Sequence, residues 1–498
     1  MAGPDLQQIL DDKKDLEAAW ELTHKQWSEV DTFTDGTYEV WSKEQQEIAP
    51  RNTERTNLGR IIVDHTSDNL LPYKPKFKRD PIGQRDPLQR ADDAQDKADR
   101  VEEVAGALWL DASQGEMALP TKVAGRYMLK YNYAVLETGF DISGMPEPPE
   151  RGDPAFETKN REFEERRWNF NPFWATAPHP YTVLLPPRSR VPELAVKRMR
   201  WYRRDLKRYL DGKREAHEDN LVSVAEFDFA GNGYDMVEVV EHFLPDYHSL
   251  TSTEGGSKVL LQEEQFHRVL PFTHAWGGFA DTVTGEDGMA PERLGQGLLW
   301  PIRDLLRQYD QIRSAKMELE MKAAYGLLVT EGDALQLAQQ MASGGNAIIG
   351  GVSLKDIGFL PIPQLPQFLA DLEQRIFQEI VLGTVPLAAF GQRDVGVDTV
   401  GQHAMMLQVS AKRFLESMEQ MSFMVSQIMS MWFKIIVTWG EQFAVRGVDI
   451  TPSLFQSNYH ILTTFPMSDE AVKMQRIKQG AALVRQGLKS RKRHWEED

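Results

Sequence analysis

The 498-residue chain contains no cysteine. Disulfides, thiolate nucleophiles and cysteine-type zinc sites are therefore excluded, and assembly inside a reducing cell is the expectation. Positive charge is in deficit: 57 Lys and Arg against 74 Asp and Glu leave a formal net charge of −17. That argues against a surface that grips polyanions in general. It is compatible with a conduit that lets one slide, because DNA carries a charge about every 1.7 Å of axis and an acidic wall repels it. Long apolar runs are also lacking. The most apolar stretch, 424–439, is interrupted by Ser426, Gln427, Ser430 and Lys434 and reads as too short and too polar to span a bilayer. The opening Met1-Ala2-Gly3-Pro4-Asp5 has no basic segment leading into an apolar one, so no secretory signal and no membrane association are expected.

Catalytic signatures are missing as well. Gly344-Gly345-Asn346 and Gly350-Gly351 bracket an apolar triplet without the Lys-Ser/Thr that a phosphate loop requires, and they read as turns around a strand. His242 and His248, near Glu241 and Asp246, match no metal-ligand spacing. Asp92, Asp93, Asp96, Asp99, Glu102 and Glu103 are scattered around a helix by their spacing, which makes a solvated face rather than a two-metal nuclease centre. No metal and no cofactor are expected. Lys197, Arg198, Arg200, Arg203, Arg204, Lys207 and Arg208, interleaved with Trp201, Tyr202 and Tyr209, suit either nucleic acid or the acidic rim of a neighbouring subunit, and the second is favoured.

A chain this long requires more than one core. An amphipathic helix is expected over 5–30, with Leu6, Ile9, Leu16, Trp20 and Trp27 near one face. Helices are expected at 91–110 and 120–137, the latter opened by Pro120 and stopped by Gly139. A strand is expected at 181–185 and a basic helix at 191–210. Strands follow at 222–229 and 236–243, joined by the hairpin signal Gly231-Asn232-Gly233, with weaker candidates at 259–262 and 266–270. The first 290 or so residues thus read as a mixed α+β region within a mainly helical chain.

The most informative order comes later. From Leu298 to Lys322 the apolar residues Ile302, Leu305, Leu306, Tyr309, Ile312 and Leu319 alternate with charges of both signs, giving a rod roughly 35 Å long. A small glycine-rich insert over 325–363 alternates strand, short helix and strand. Pro366 opens a return helix with Phe368, Leu369, Leu372, Ile376 and Ile380 on one stripe, ending at Gly383. A loop-like segment bearing Gly391 and Gly396 follows. Thr399 to Gln402 has capping-box spacing, and Leu407, Ala411, Phe414, Met418, Met421, Val425, Ile428, Trp432, Ile435 and Trp439 then sustain a helix of roughly 60 Å. A final helix is expected from Ser468, ending in the basic run 489–493.

This order resembles that of the bacteriophage portal proteins. The stretch from Asp371 to Pro386, followed by a glycine-bearing loop and a helix, is most similar to the family; Ile61-Ile62-Val63-Asp64 before Leu70-Leu71-Pro72, and the helix ending Leu136-Glu137-Thr138-Gly139, are similar more weakly. The resemblance implies a wing over 1–297, a first stem helix over 298–322, a clip over 323–363 and a second stem helix over 364–382. A tunnel loop over 383–398, a long wing helix with its following segment over 399–465, and a crown over 466–498 complete it. The short crown and its basic end depart from the family pattern.

The function implied is that of a dodecameric ring at one vertex of the capsid of a virion, with a central channel for genome packaging, retention and ejection. It implies double-stranded DNA passing through, a clip that docks the terminase large subunit and head–tail adaptor proteins, and contact with major capsid and scaffolding proteins. Candidate DNA-touching residues are Gly391, Gln392, Arg393, Asp394, Val395 and Gly396 in the tunnel loop. Arg303, Arg307, Asp310, Arg313, Glu373, Arg375 and Glu379 are candidates for stem pairing or lumen lining. Glu331, Asp333, Gln336, Gln340, Lys355 and Asp356 are candidates for clip docking. No catalysis is expected. The alternatives are a metal-dependent nucleic-acid-processing enzyme and a coiled-coil structural scaffold.

Overall fold

The computed structural model describes residues 4–48, 53–71, 74–79, 91–113, 118–142, 156–167, 170–187, 189, 192–216, 232–253, 257–279, 284–285, 288–289, 295–325, 328–330, 357–359, 367–384, 414–455 and 458–465. The proposed tunnel-loop residues, the clip-docking residues, the crown, the start of the long wing helix and the strand expected at 222–229 lie outside them.

The helices are α1 (Leu6–Asp35), α2 (Lys43–Ile48), α3 (Leu58–Leu70), α4 (Ala91–Ala112), α5 (Pro120–Tyr131) and α6 (Phe156–Arg167). They continue with α7 (Arg203–Ala216), α8 (Arg303–Tyr325), α9 (Gln367–Gly383) and α10 (Leu415–Trp439). The strands are β1 (Lys76–Lys78), β2 (Tyr133–Phe140), β3 (Phe173–Thr176), β4 (Val183–Leu184), β5 (Ala195–Tyr202), β6 (Met236–Phe243), β7 (Tyr247–Ser252) and β8 (Lys258–Glu264). After them come β9 (Phe272–Trp276), β10 (Thr284–Gly285), β11 (Gly288–Met289), β12 (Leu328–Thr330), β13 (Ile357–Phe359), β14 (Phe443–Val445), β15 (Val448–Ile450) and β16 (Leu462–Thr464). The mixture of helix and sheet is the one the sequence led us to expect.

The chain forms two compact units: Met1–Ser28, Val63–Leu298 and Leu387–Asp498 make the first, and Glu29–Ile62 with Leu299–Pro386 the second. The first contains an antiparallel sheet ordered β4-β5-β6-β7-β8 and a smaller one ordered β3-β2-β9. Strand β2 is buried on both faces, and its period of two sorts its side chains. Ala134 and Leu136 join a core with Phe173, Ala275, the α4 residues Val104 and Leu108, and the α10 residues Met424, Ile428 and Trp432. Tyr133 and Val135 join another with Trp20 and Trp27 of α1. These tryptophans also donate to backbone carbonyls, Trp20 to Leu185 at 2.7 Å and Trp27 to Tyr131 at 2.9 Å, so burying each indole leaves no N–H unpaired.

Helix α10 is the core rod of this unit. Among the described residues it is long and apolar enough to cross a membrane by length and composition, which corrects the reading of 424–439 as too short and too polar. Its apolar side chains are spent inside the protein: Met424, Val425, Ile428, Met429, Trp432, Phe433 and Ile436 are fully buried. Gly440 ends it in the left-handed region at φ 77°, its N–H bonded to the Ile436 carbonyl.

Two expected helices are corrected. The helix expected over 120–137 stops at Tyr131, because Asn132 adopts a left-handed conformation (φ 58°) and its N–H closes on Met128. Asn tolerates that geometry, and the aromatic and β-branched run from Tyr133 then extends as β2. The basic helix expected over 191–210 is strand β5 followed by helix α7. Alternation puts Val196 in the core, while Arg198 and Arg200 follow it on the same face toward the surface. The strand expected at 266–270 falls instead at β9, and β7 was not anticipated.

Candidate functional site

The stem candidates fall in the second unit. Helices α8 and α9 run antiparallel: Ile302 lies beside Gly383, Tyr309 packs on Phe377 with ring centroids 6.0 Å apart, and Lys316 reaches Glu373 at 3.2 Å. Between them in sequence, β12 and β13 pair antiparallel, Leu328 opposite Phe359 and Thr330 opposite Ile357. The arrangement is a helical hairpin interrupted by a small insert with a β-ladder. On α9 only Ile376 and Ile380 are buried.

The charges of α8 are largely committed within the chain. Arg303 pairs with Glu29 at 3.2 Å and lies over the Trp300 ring at 4.3 Å. Arg307 pairs with Asp304 at 3.4 Å and stacks over Phe33 at 5.7 Å. Arg313 donates to Glu54 at 2.6 Å. Gln311 donates to the Val40 carbonyl at 2.8 Å, and Ser314 accepts from the Glu54 N–H at 2.8 Å. The segment before α3 thus straps one face of α8.

Asp310 is corrected as a candidate for lumen lining or for pairing between subunits. It is fully buried, and it accepts from the Tyr38 hydroxyl, from Thr56 Oγ1 at 2.6 Å and from the Thr56 N–H at 3.1 Å. Burial raises its pKa; the bonds from Thr56 and Tyr38 and the charge of Arg313 oppose that rise. Burial, with the Asp310 carboxylate, also pushes the Tyr38 phenol far above its ordinary value, so it remains a donor. Charge at position 310 serves the strap. Sequence reading missed Tyr38, Glu54 and Thr56 because partners from an irregular segment more than 250 residues away leave no periodic trace, and it missed Glu29 because nothing in the periodicity of α1 says which distant helix its end meets.

Glu373 is held by Lys316. Arg375 and Glu379 are different: they pair with each other one helical turn apart at 3.3 Å, on an exposed face. Phe368, Leu372, Arg375, Glu379 and Leu382 follow a four-three spacing, which sets them along one stripe of α9. Its apolar members stand in water, Phe368 at 63%, Leu372 at 37% and Leu382 at 82% exposure. Among the described residues no group of three or more His, Asp and Glu is arranged to hold a metal ion.

A second charged centre lies in the first unit. Glu137 of β2 accepts from Lys197 of β5 at 2.7 Å, and Lys197 is also 3.7 Å from Glu241. His248 lies 3.7 Å from Glu241 and 3.8 Å from Glu263. Those separations exceed hydrogen-bond length, so the attraction is Coulombic. Of the histidines noted in the sequence, His248 therefore belongs to a buried ion network, while His242 is bonded separately to Asp12 of α1 at 2.9 Å on the opposite sheet face.

No family model matches the chain, and no curated protein matches it. Among solved structures, the chain is similar to one in the virion of a native gene transfer agent particle, covering 79% of this chain and 86% of that chain at 11% identity, with a TM-score of 0.34. A chain in the neck of an empty gene transfer agent particle, computed with C6 symmetry, is similar over the same shares at 10% identity, with a TM-score of 0.33.

Proposed function

We propose that this chain is the subunit of a portal-type ring: identical copies stand around an axis and form the channel through which double-stranded DNA enters and leaves a capsid. The observation that carries the reading is the stripe of Phe368, Leu372, Arg375, Glu379 and Leu382 on a helix of which only Ile376 and Ile380 are buried. Large apolar side chains aligned on one helix face and left in water are a surface that a partner covers. The self-paired Arg375 and Glu379 supply a polar register within it, as in helix–helix seams. A hairpin of two antiparallel helices whose α8 charges are largely satisfied internally suits a stave: it is stiff by itself and presents α9 to its neighbour.

In this reading the insert between α8 and α9 docks the terminase large subunit and head–tail adaptors, and the segment after α9 narrows the channel. The negative charge of the chain lowers friction on DNA, since repulsion keeps the phosphates from being gripped. The protein would work by position and not by chemistry, and it would reside in the virion at the capsid vertex.

The test is particle imaging of the purified chain beside Leu372→Asp and Leu382→Asp variants. Rings from the parent chain, and folded but dispersed subunits from the variants, are the expected pair of results. Rings that persist in both variants would remove α9 from the interface. Mg²⁺-dependent cleavage of DNA by the chain would instead favour a nucleic-acid enzyme.

A further inference from the structure

Strand β5 pairs with β6 along its whole length, from Ala195 opposite Phe243 to Tyr202 opposite Met236. Among the described residues its other flank is covered only at the beginning. There β4 pairs Val183 with Lys197 and Leu184 with Val196, and the Thr182 carbonyl accepts from the Arg198 N–H at 2.8 Å. Backbone polar groups alternate sides along an antiparallel strand, so Arg200, two residues on, directs its N–H and C=O to the flank where β4 has ended. The opposite strand agrees: the Glu238 carbonyl, facing Arg200, turns to β7's end and accepts from Thr253 at 3.3 Å. The Thr182 N–H bonds to the His179 carbonyl at 2.8 Å, so this turn does not return a bond to the Arg198 carbonyl.

A cleft of about 730 Å³ runs along this flank, lined by Pro178, His179, Tyr181, Arg198, Arg200 and Trp201 among others. Its cations are unequal. Lys197 is held by Glu137 at 2.7 Å and Arg198 by Glu17 at 3.1 Å. Arg200 is exposed and, among the described residues, its side chain has no ion pair or hydrogen bond.

We propose that the flank of β5 at Arg198–Tyr202 takes an extended acidic segment from a second copy of this chain, added as a strand with a carboxylate on Arg200. The proposal rests on the reading of the chain as self-associating. Unpaired strand edges template pairing with another chain, and β-addition satisfies donors and acceptors together. A nucleic-acid backbone offers phosphate acceptors to Arg200 but no donors for the carbonyls of Arg198 and Arg200, and Glu238 on the rim repels it. A polypeptide matches both. A second copy supplies the complementary charge, since the chain has 74 acidic against 57 basic residues.

Hydrogen–deuterium exchange on the full chain, dilute and self-associated, tests this at one amide. The Arg200 N–H should exchange at least about tenfold more slowly in the associated form. Arg200→Pro deletes that N–H without touching the β5–β6 ladder and should weaken association. Should that variant fail to fold, Arg200→Glu, which keeps the backbone and reverses the charge, gives the same reading. Rings whose Arg200 amide exchanges as in the dilute chain would overturn the inference and leave the ring reading standing. A chain that never self-associates would overturn both. Protection that arises only on adding a different protein would overturn the choice of occupant.

Discussion

Lys316 of α8 and Glu373 of α9 meet at 3.2 Å across the helical hairpin, each partly shielded from water. Such a pair is worth at most about 1 kcal/mol, because exposure and side-chain entropy offset most of its attraction. Its use is register: it fixes which turn of α9 faces which turn of α8. Lys316→Glu should therefore shift melting by little while lowering the yield of rings. The double exchange Lys316→Glu with Glu373→Lys should restore that yield. Equal yields in all three proteins, counted by imaging, would show that the pair sets nothing.

Asp310→Ala removes the acceptor shared by Tyr38 and Thr56. A buried donor left without a partner costs about 1–3 kcal/mol, so denaturant unfolding should move down by about 2 kcal/mol. Asp310→Asn keeps an acceptor and should lose less. An unchanged midpoint for Asp310→Ala would mean that the strap over α8 is not held there.

Trp432 is fully buried against Phe173 and Trp109, and its N–H is bonded to Thr138 Oγ1. Trp432→Ala should destabilise the first unit by about 3–5 kcal/mol. Thr138→Val should cost less, because it removes one hydroxyl, which accepts from Trp432 and donates to the Trp174 carbonyl at 2.8 Å, and leaves the packing. Calorimetry of the two variants checks the ranking.

Stability should peak near neutrality. Burial pushes the pKa of His248 down, but the carboxylates of Glu241 and Glu263 outweigh it and the pKa is raised above 6.5. That contribution is complete below 6.5 and is lost as pH rises through the raised value. Burial depresses the pKa of His24 and of His267 to about 4, so the unfolded chain takes up more protons between about 4 and 6.5 and stability falls as pH drops through that window. Burial of His242 and His274 works in the same direction. His248→Phe should abolish the decline above pH 6.5 and leave the acid limb. Melting temperatures measured across pH 4–9 decide it; an alkaline limb that survives the substitution assigns it elsewhere.

Much of the fold was legible where periodicity was strong. The tryptophans of α1, the apolar stripe of α10 and the paired rods α8 and α9 were readable because burial selects side chains at helical spacing. Reading failed where a helix gives way to a strand inside one apolar run, as at Asn132, and where alternating Arg and apolar residues in β5 imitated a helix face. Of the candidate site, Arg375 and Glu379 stand exposed on α9, while Arg303, Asp310 and Arg313 are occupied by partners distant in sequence. The sequence carries charge and order along the chain; it does not carry which segment folds back to neutralise which residue.

The most direct measurement is the mass and shape of the assembled particle. Mass photometry with single-particle images should show one closed species at a whole multiple of the 56.8 kDa subunit, about 680 kDa for twelve copies, with an opening on its axis. A chain that stays at 56.8 kDa at every concentration, or that grows into open filaments, would contradict the account.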